Sequence, residues 1–238
     1  MTFYLTFHIY SYLAPNKMSP SIVTFLVLSL TSTILADSSC DHPETPKDSK
    51  CEGCPPTFNG LPCASTTRYD DLTKGACGCG GEPNPPDFWT KSKFTAAGNA
   101  KMMDPDQPEL GWCMSNCGLC FELCTTGGTA QGVPPPAGQC IVIQLENRCG
   151  DGLNEPSNYL CGQEMSPWEC LENPAQCQTL RNTNMFGYPA HFDLQNAKGQ
   201  VLEGLGWDNP EVTFQQVDCS EGDFGNWEQD CFCPPALF

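Results

Sequence analysis

Apolar and polar positions settle into a strand-like pattern over three stretches of the chain: Gln139–Asn147 (QCIVIQLEN), Ala190–Asn196 (AHFDLQN) and Val212–Cys219 (VTFQQVDC). Each is rich in β-branched or aromatic residues or alternates in polarity, as a half-buried strand does. A fourth, shorter strand is expected over Phe121–Thr125. The spacing of Phe94, Ala97, Lys101 and Met102 predicts one helix over Lys93–Met103 with Ser92 as its N-cap, although Gly98 weakens it. Pro55-Pro56, Gly80-Gly81, Pro83–Pro86 and Pro134–Pro136 punctuate the chain with turns. Asp104–Leu110, Thr125–Gly138 and the cysteine-studded span Gly150–Met185 read as loops. The architecture expected is mainly β, with no internal repeat and no Ser/Thr/Pro-rich linker to a second module.

The N-terminal region has a different character. Lys17 and Met18 precede the apolar run Ile22–Leu30, which leads to the small residue Ala36. That is the layout of a secretory leader, so residues 1–36 are expected to be removed, with Met18 an alternative start. The run is too short to span a bilayer, which takes about 20 apolar residues. A single domain, 37–238, would remain. All eighteen cysteines lie in it, an even number in a chain routed to an oxidising compartment. Cys51/Cys54 and Cys117/Cys120 have the gap of a zinc knuckle, but only His42 and His191 accompany them, and disulfides are the expected state. No metal and no cofactor are expected. A net charge of −17 excludes a phosphate-backbone partner and is indifferent to a neutral polymer. No Asn-x-Ser/Thr acceptor, phosphate-binding glycine loop or Gly-x-Ser-x-Gly elbow occurs.

Two acidic segments carry the candidate chemistry. In AHFDLQN, alternation puts Asp193 and His191 on one face and Phe192 and Leu194 on the other. A carboxyl anchored between core residues is partly desolvated, which favours its protonated form and makes it a proton donor. Taken alone, an HFD string is as readily a structural acceptor. In STTRYDD, Ser65–Asp71, an extended run ends in two aspartates, either of which could stay ionised and draw a proton from water. It could equally be a solvated turn. Glycosidic cleavage needs that division of labour between an acid and a carboxylate.

Five strings in order, FNGLPCASTTRYDD (58–71), KGACGCG (74–80), GWCMSNCGLCFEL (111–123), GYPAHFDLQN (187–196) and GWDNPEVTFQQVDC (206–219), resemble glycoside hydrolase family 45, particularly its animal endoglucanases. The resemblance implies a six-stranded double-psi β-barrel with long disulfide-stapled loops and one or two short helices. It also implies a secreted, monomeric endo-β-1,4-glucanase that hydrolyses a β-1,4-glucan with inversion. By motif the general acid falls on Asp193 and the general base on Asp71, with carboxyls about 6.5–9.5 Å apart. Thr67, Tyr69 and His191 take groove positions, and Trp112 is expected to bind substrate. Trp112 and Trp207 each have an equal claim to the core, and Trp89 and Trp168 are less definite. Where fungal members read Arg-Tyr-Trp-Asp this chain reads Arg-Tyr-Asp-Asp, leaving Asp70 or Asp71 as the base. Asn154 and Asn158 are reserve candidates, and Asp151 and Glu155 could line the cleft. The alternative is an expansin-like or barwin-like protein that shares the barrel and binds or loosens wall polysaccharide without hydrolysis.

Overall fold

A computed structural model of the chain describes residues 48–80, 88–150 and 159–236, all within one compact unit, Asp37–Phe238. The expected leader and the turn at Pro83–Pro86 lie outside the described residues. Seven strands form in chain order: β1 (Thr57–Phe58), β2 (Leu61–Tyr69), β3 (Thr95–Gly98), β4 (Cys120–Thr129), β5 (Cys140–Arg148), β6 (His191–Gln195) and β7 (Pro210–Val217). They are hydrogen-bonded in the order β1-β2-β6-β3-β5-β4-β7, and β7 pairs again with β2. Six strands thus close into the expected barrel, with β1 a short hairpin partner outside the ring. The β2–β6 and β3–β5 pairs are parallel and the other four contacts in the ring antiparallel.

The alternation in AHFDLQN and QCIVIQLEN sorts side chains between the two sides of this wall. Phe192, Leu194, Ile143 and Leu145 turn inward, where Phe192 meets Phe121 and Phe214, each with ring centroids 5.6 Å away. Leu123 and Val212 are buried in the same core. Fully burying a side chain of this size contributes roughly 1.5–3 kcal/mol, so the interior can hold a wall whose outer side is polar.

The expected helix over Lys93–Met103 is not what forms. Its first half is β3, wholly buried and paired on both sides, and only Ala100–Met103 is helical (α2). Thr95-Ala96-Ala97-Gly98 is a run of small residues that fits between two strands, and a double ladder of backbone hydrogen bonds outweighs the weak helix preference of the segment. Ser92 caps nothing there; its Oγ accepts from the Gly225 amide at 2.9 Å. Helices are also more numerous than one or two. The described residues include α1 (Phe88–Lys91), α3 (Pro167–Glu172), α4 (Pro174–Leu180), α5 (Leu202–Leu205) and α6 (Trp227–Asp230). Two of these lie in the span expected to be loop, where Ser166 and Glu169 form a capping box at the start of α3. Strand β4 also runs four residues past the expected end, with a register shift between Thr125 and Thr129.

Eight disulfides join the described residues, and Cys54 is disulfide-bonded as well. Cys51 bonds Cys63, Cys117 bonds Cys77 and Cys120 bonds Cys219, so the Cys-x-x-Cys spacings mark bridges rather than zinc ligands.

Candidate active site

Register places the candidate groups. Parallel pairing sets Thr67 of β2 beside Asp193 of β6, and β3 then sets Ala97 between Asp193 and Asn147 of β5. Since Phe192 and Leu194 point inward, this row lies on the outer wall of the barrel. Ala97 is itself buried beneath the Tyr69 ring and the Cys149–Cys161 bridge.

Beneath the row runs a chain of buried hydrogen bonds. Asn184 Oδ1 accepts from the amides of Phe186 and Tyr188, both at 3.1 Å, which turns its Nδ2 toward Ser65 Oγ at 2.7 Å. Ser65 Oγ is 2.9 Å from His191 Nδ1, and His191 Nε2 is 2.9 Å from Thr67 Oγ1, which donates to Asp193 Oδ1 at 2.7 Å. One polarity satisfies every group: each hydroxyl receives a hydrogen from the Asn184 side and passes its own toward Asp193. Oδ1 is then committed as an acceptor, and a proton on Asp193 belongs on Oδ2. His191 was expected to line the groove, but it has no exposed surface. Burial drives its pKa down to about 3, so it is a neutral spacer under Thr67.

Burial raises the Asp193 pKa to about 6; the Thr67 hydrogen bond opposes the rise and the charge of Asp71 adds to it. Asp70 and Asp71 are both exposed, and Asp71 Oδ1 accepts from the Thr73 amide at 3.1 Å. It is Asp71, not Asp70, whose charge is felt at Asp193. Arg68, on the alternate side of β2, is taken up by Asp208 at 2.6 Å and Asn209 at 3.0 Å.

Tyr69 is half-buried against Ala97 and the Cys149–Cys161 disulfide. Its hydroxyl donates to Glu146 Oε1 at 2.5 Å. Burial first, then the Glu146 charge, holds the phenol well above its ordinary value, so it stays protonated. Sequence reasoning missed Glu146, Asn147, Ser65 and Asn184. The first was within reach: QCIVIQLEN alternates, and a glutamate opposite Ile143 and Leu145 had to occupy the site face.

Trp112 is 44% exposed and leans on Phe232, itself 73% exposed, with centroids 6.0 Å apart. It stands outside the row but is tied to it, because the Cys113 amide donates to Ala76 O and the Ala76 amide donates to Asn147 Oδ1. Trp207 is fully buried and bonds Gln139 Oε1 at 3.1 Å, and Trp89 is also core. Trp168 lines a separate open pocket with Asn116 and Gln216 and rests on Phe121. Asp151, Asn154, Glu155 and Asn158 lie outside the described residues. Among the described residues two clusters have metal-like proximity, His191 with Cys149 and Cys161, and Glu122 with Cys124 and Cys140. In each the sulfurs are joined in a disulfide, not present as thiolates.

A wall that presents one carboxyl poised to hold a proton and a second, solvated one within electrostatic reach can run paired acid and base chemistry. The family model described as EXPB1-like domain 1 matches residues 64–229. An endoglucanase of Mytilus edulis is 38% identical over 173 residues, 71% of this chain and 86% of that one. Endoglucanase-5 of Hypocrea jecorina is 30% identical over 176 residues, and the chain spans 62% of its length. The solved β-1,4-D-endoglucanase of the blue mussel Mytilus edulis superposes with a TM-score of 0.58 at 36% identity, covering 73% of this chain and 88% of that one. A GH45 endoglucanase solved in complex with cellobiose gives 0.59 at 37% identity, covering 73% and 91%.

Proposed function

The chain belongs to glycoside hydrolase family 45 and is an endo-β-1,4-glucanase, and from that premise we propose that Asp193 is its general acid and Asp71 its general base, acting with inversion. The observation that carries the assignment is the half-buried Asp193, its Oδ1 occupied by Thr67 and its pKa raised to about 6 under the influence of Asp71. Asp193 gives the proton on Oδ2 to the glycosidic oxygen as the bond to the anomeric carbon breaks. Asp71, ionised and open to solvent, takes a proton from a water attacking that carbon from the opposite face. Acid and base each end in the other's starting state, and solvent resets them. Trp112, with Phe232 beside it, offers aromatic faces to the apolar faces of glucose rings.

The substrate is a β-1,4-glucan, as suggested by the cellobiose held by the GH45 relative. Secretion of a monomer is the fitting context: the disulfides need an oxidising compartment, and no helix among the described residues is long and apolar enough to cross a membrane. The expansin-like alternative shares the barrel but gives no reason for a solvated carboxylate opposite a raised one. On carboxymethyl-cellulose and mixed-linkage glucan, Asp193→Asn and Asp71→Asn should each lower reducing-end release by about 10²–10⁴-fold, the usual worth of an acid or base. Asp70→Asn should stay within about threefold. Severe loss at Asp70 with a mild effect at Asp71 would reassign the base, and a β-anomer as the first product would exclude inversion.

A further inference from the structure

The site contains a third carboxyl that the two-carboxylate mechanism does not use. Glu146 is 1% exposed. One of its oxygens, Oε1, accepts the Tyr69 hydroxyl at 2.5 Å; the other, Oε2, is buried without a hydrogen-bond partner. The turn Gly75–Cys77 is laid over it. The Cys77 amide donates to Glu146 O at 3.1 Å, and a Cβ on Gly75 would stand 2.1 Å from Oε2. That turn is fixed by the Cys77–Cys117 bridge, so the pocket around Oε2 is closed by backbone. An ionised carboxylate with a bare, buried oxygen carries a large desolvation cost unless a cation answers it.

Among the described residues, two further carboxylates bear on this pocket. Asp71, from the segment after β2, acts on Glu146, and Asp193, from β6, acts on Tyr69. Arg148, two residues on, is not among the charges that bear on Glu146. Asn147, next to it, is held by backbone: its Oδ1 accepts from the amides of Ala76 and Arg148 at 2.7 and 2.8 Å. The Tyr69 hydroxyl gives its hydrogen to Glu146.

Resting on the reading of Asp193 and Asp71 as acid and base, we infer that Glu146 is a positioning residue that works as a neutral carboxylic acid. It locks the Tyr69 ring beside Asp193 and adds no third negative charge to the pair while the enzyme turns over. Ionising it would undo the second of these, since a third anion near Asp71 and Asp193 disfavours the ionised form that the proposed base needs. Burial first, and then Asp71, push its pKa up to about 8 against the opposing Tyr69 bond, which keeps it protonated where Asp193 is also protonated.

The test has two arms. In protein labelled with ¹³C at glutamate Cδ, one carboxyl should titrate near pH 8, vanish in E146Q and move higher in Y69F, which removes the bond that favours its ionised form. Titration of every glutamate below about pH 6 overturns the proposal without reference to activity. In the second arm, pH profiles of kcat/KM on mixed-linkage glucan are compared. E146A should lose about tenfold in kcat with KM within about threefold, and E146Q should restore most of that loss, because an amide oxygen still accepts from Tyr69. The wild-type profile should steepen above about pH 8 and that of E146Q should not. Equal impairment of folded E146A and E146Q, or steepening in both, refutes the role. Retained turnover in D193N and D71N would sink the acid and base assignment instead, leaving the titration and the E146A/E146Q contrast to stand alone.

Discussion

Thr67 shows how much of the site's chemistry rests on one hydroxyl. It takes its orientation from His191 and spends its only hydrogen on Asp193 Oδ1, at 2.7 Å. That bond favours the ionised carboxylate and therefore holds the Asp193 pKa below where burial alone would put it. With Asp193 as the proposed general acid, activity requires its protonated form, so kcat/KM is expected to fall as pH rises through about 6. Thr67→Val should move that alkaline limb to higher pH, because the opposing influence is gone, and should lower kcat at pH 5 by about tenfold as Asp193 loses its fixed orientation. A pH profile on soluble glucan checks both; a limb that stays in place or moves to lower pH contradicts the hydrogen-bond account. The same network explains why His191 misled sequence reasoning. Alternation correctly put it on the face of Asp193, but depth along a strand cannot be read from periodicity, and the Asn184 segment covers it.

At the scale of elements, the loop over β5 is as tightly specified as the strands. Gly75 has no room for a side chain: a Cβ would lie 2.6 Å from the Glu146 carbonyl oxygen, backbone that cannot swing away. Gly75→Ala should destabilise the fold by about 1–3 kcal/mol, as overpacking does, and displace Glu146 from Tyr69. Denaturant melts together with activity would show this; a neutral substitution would mean the turn is softer than its contacts imply. Legibility divides along similar lines. Strands β5, β6 and β7 announced themselves because one face is apolar and the other polar. β3 did not, since Thr95-Ala96-Ala97-Gly98 has no alternation to display and becomes a strand only through its partners on both sides. β2 was seen only at its end, where STTRYDD drew attention, although Cys63–Thr66 are wholly buried. Glu146 was legible by pattern and overlooked because a glutamate in a strand usually faces water.

For the molecule as a whole, the barrel is drawn together by groups far apart in sequence. Glu211 on β7 accepts from Ser49 Oγ at 2.5 Å, the Lys50 amide at 2.9 Å, Thr126 Oγ1 at 2.5 Å and the Tyr188 hydroxyl, all around one carboxylate with no exposed surface. It thereby pins residues 49–50 across β4 and β7. Glu211→Ala strands several buried donors at once, each costing about 1–3 kcal/mol, so a loss of at least 3 kcal/mol is expected in chemical denaturation. A loss under 1 kcal/mol would show that water replaces the carboxylate freely. Strand β7 has a second consequence. It is the keystone between β2 and β4, and the bridges Cys79–Cys231 and Cys113–Cys233 form with cysteines that follow it in the chain. The ring can therefore close only once residues 210–217 have left the ribosome, by which time both of the proposed carboxyls are already outside and waiting for their scaffold.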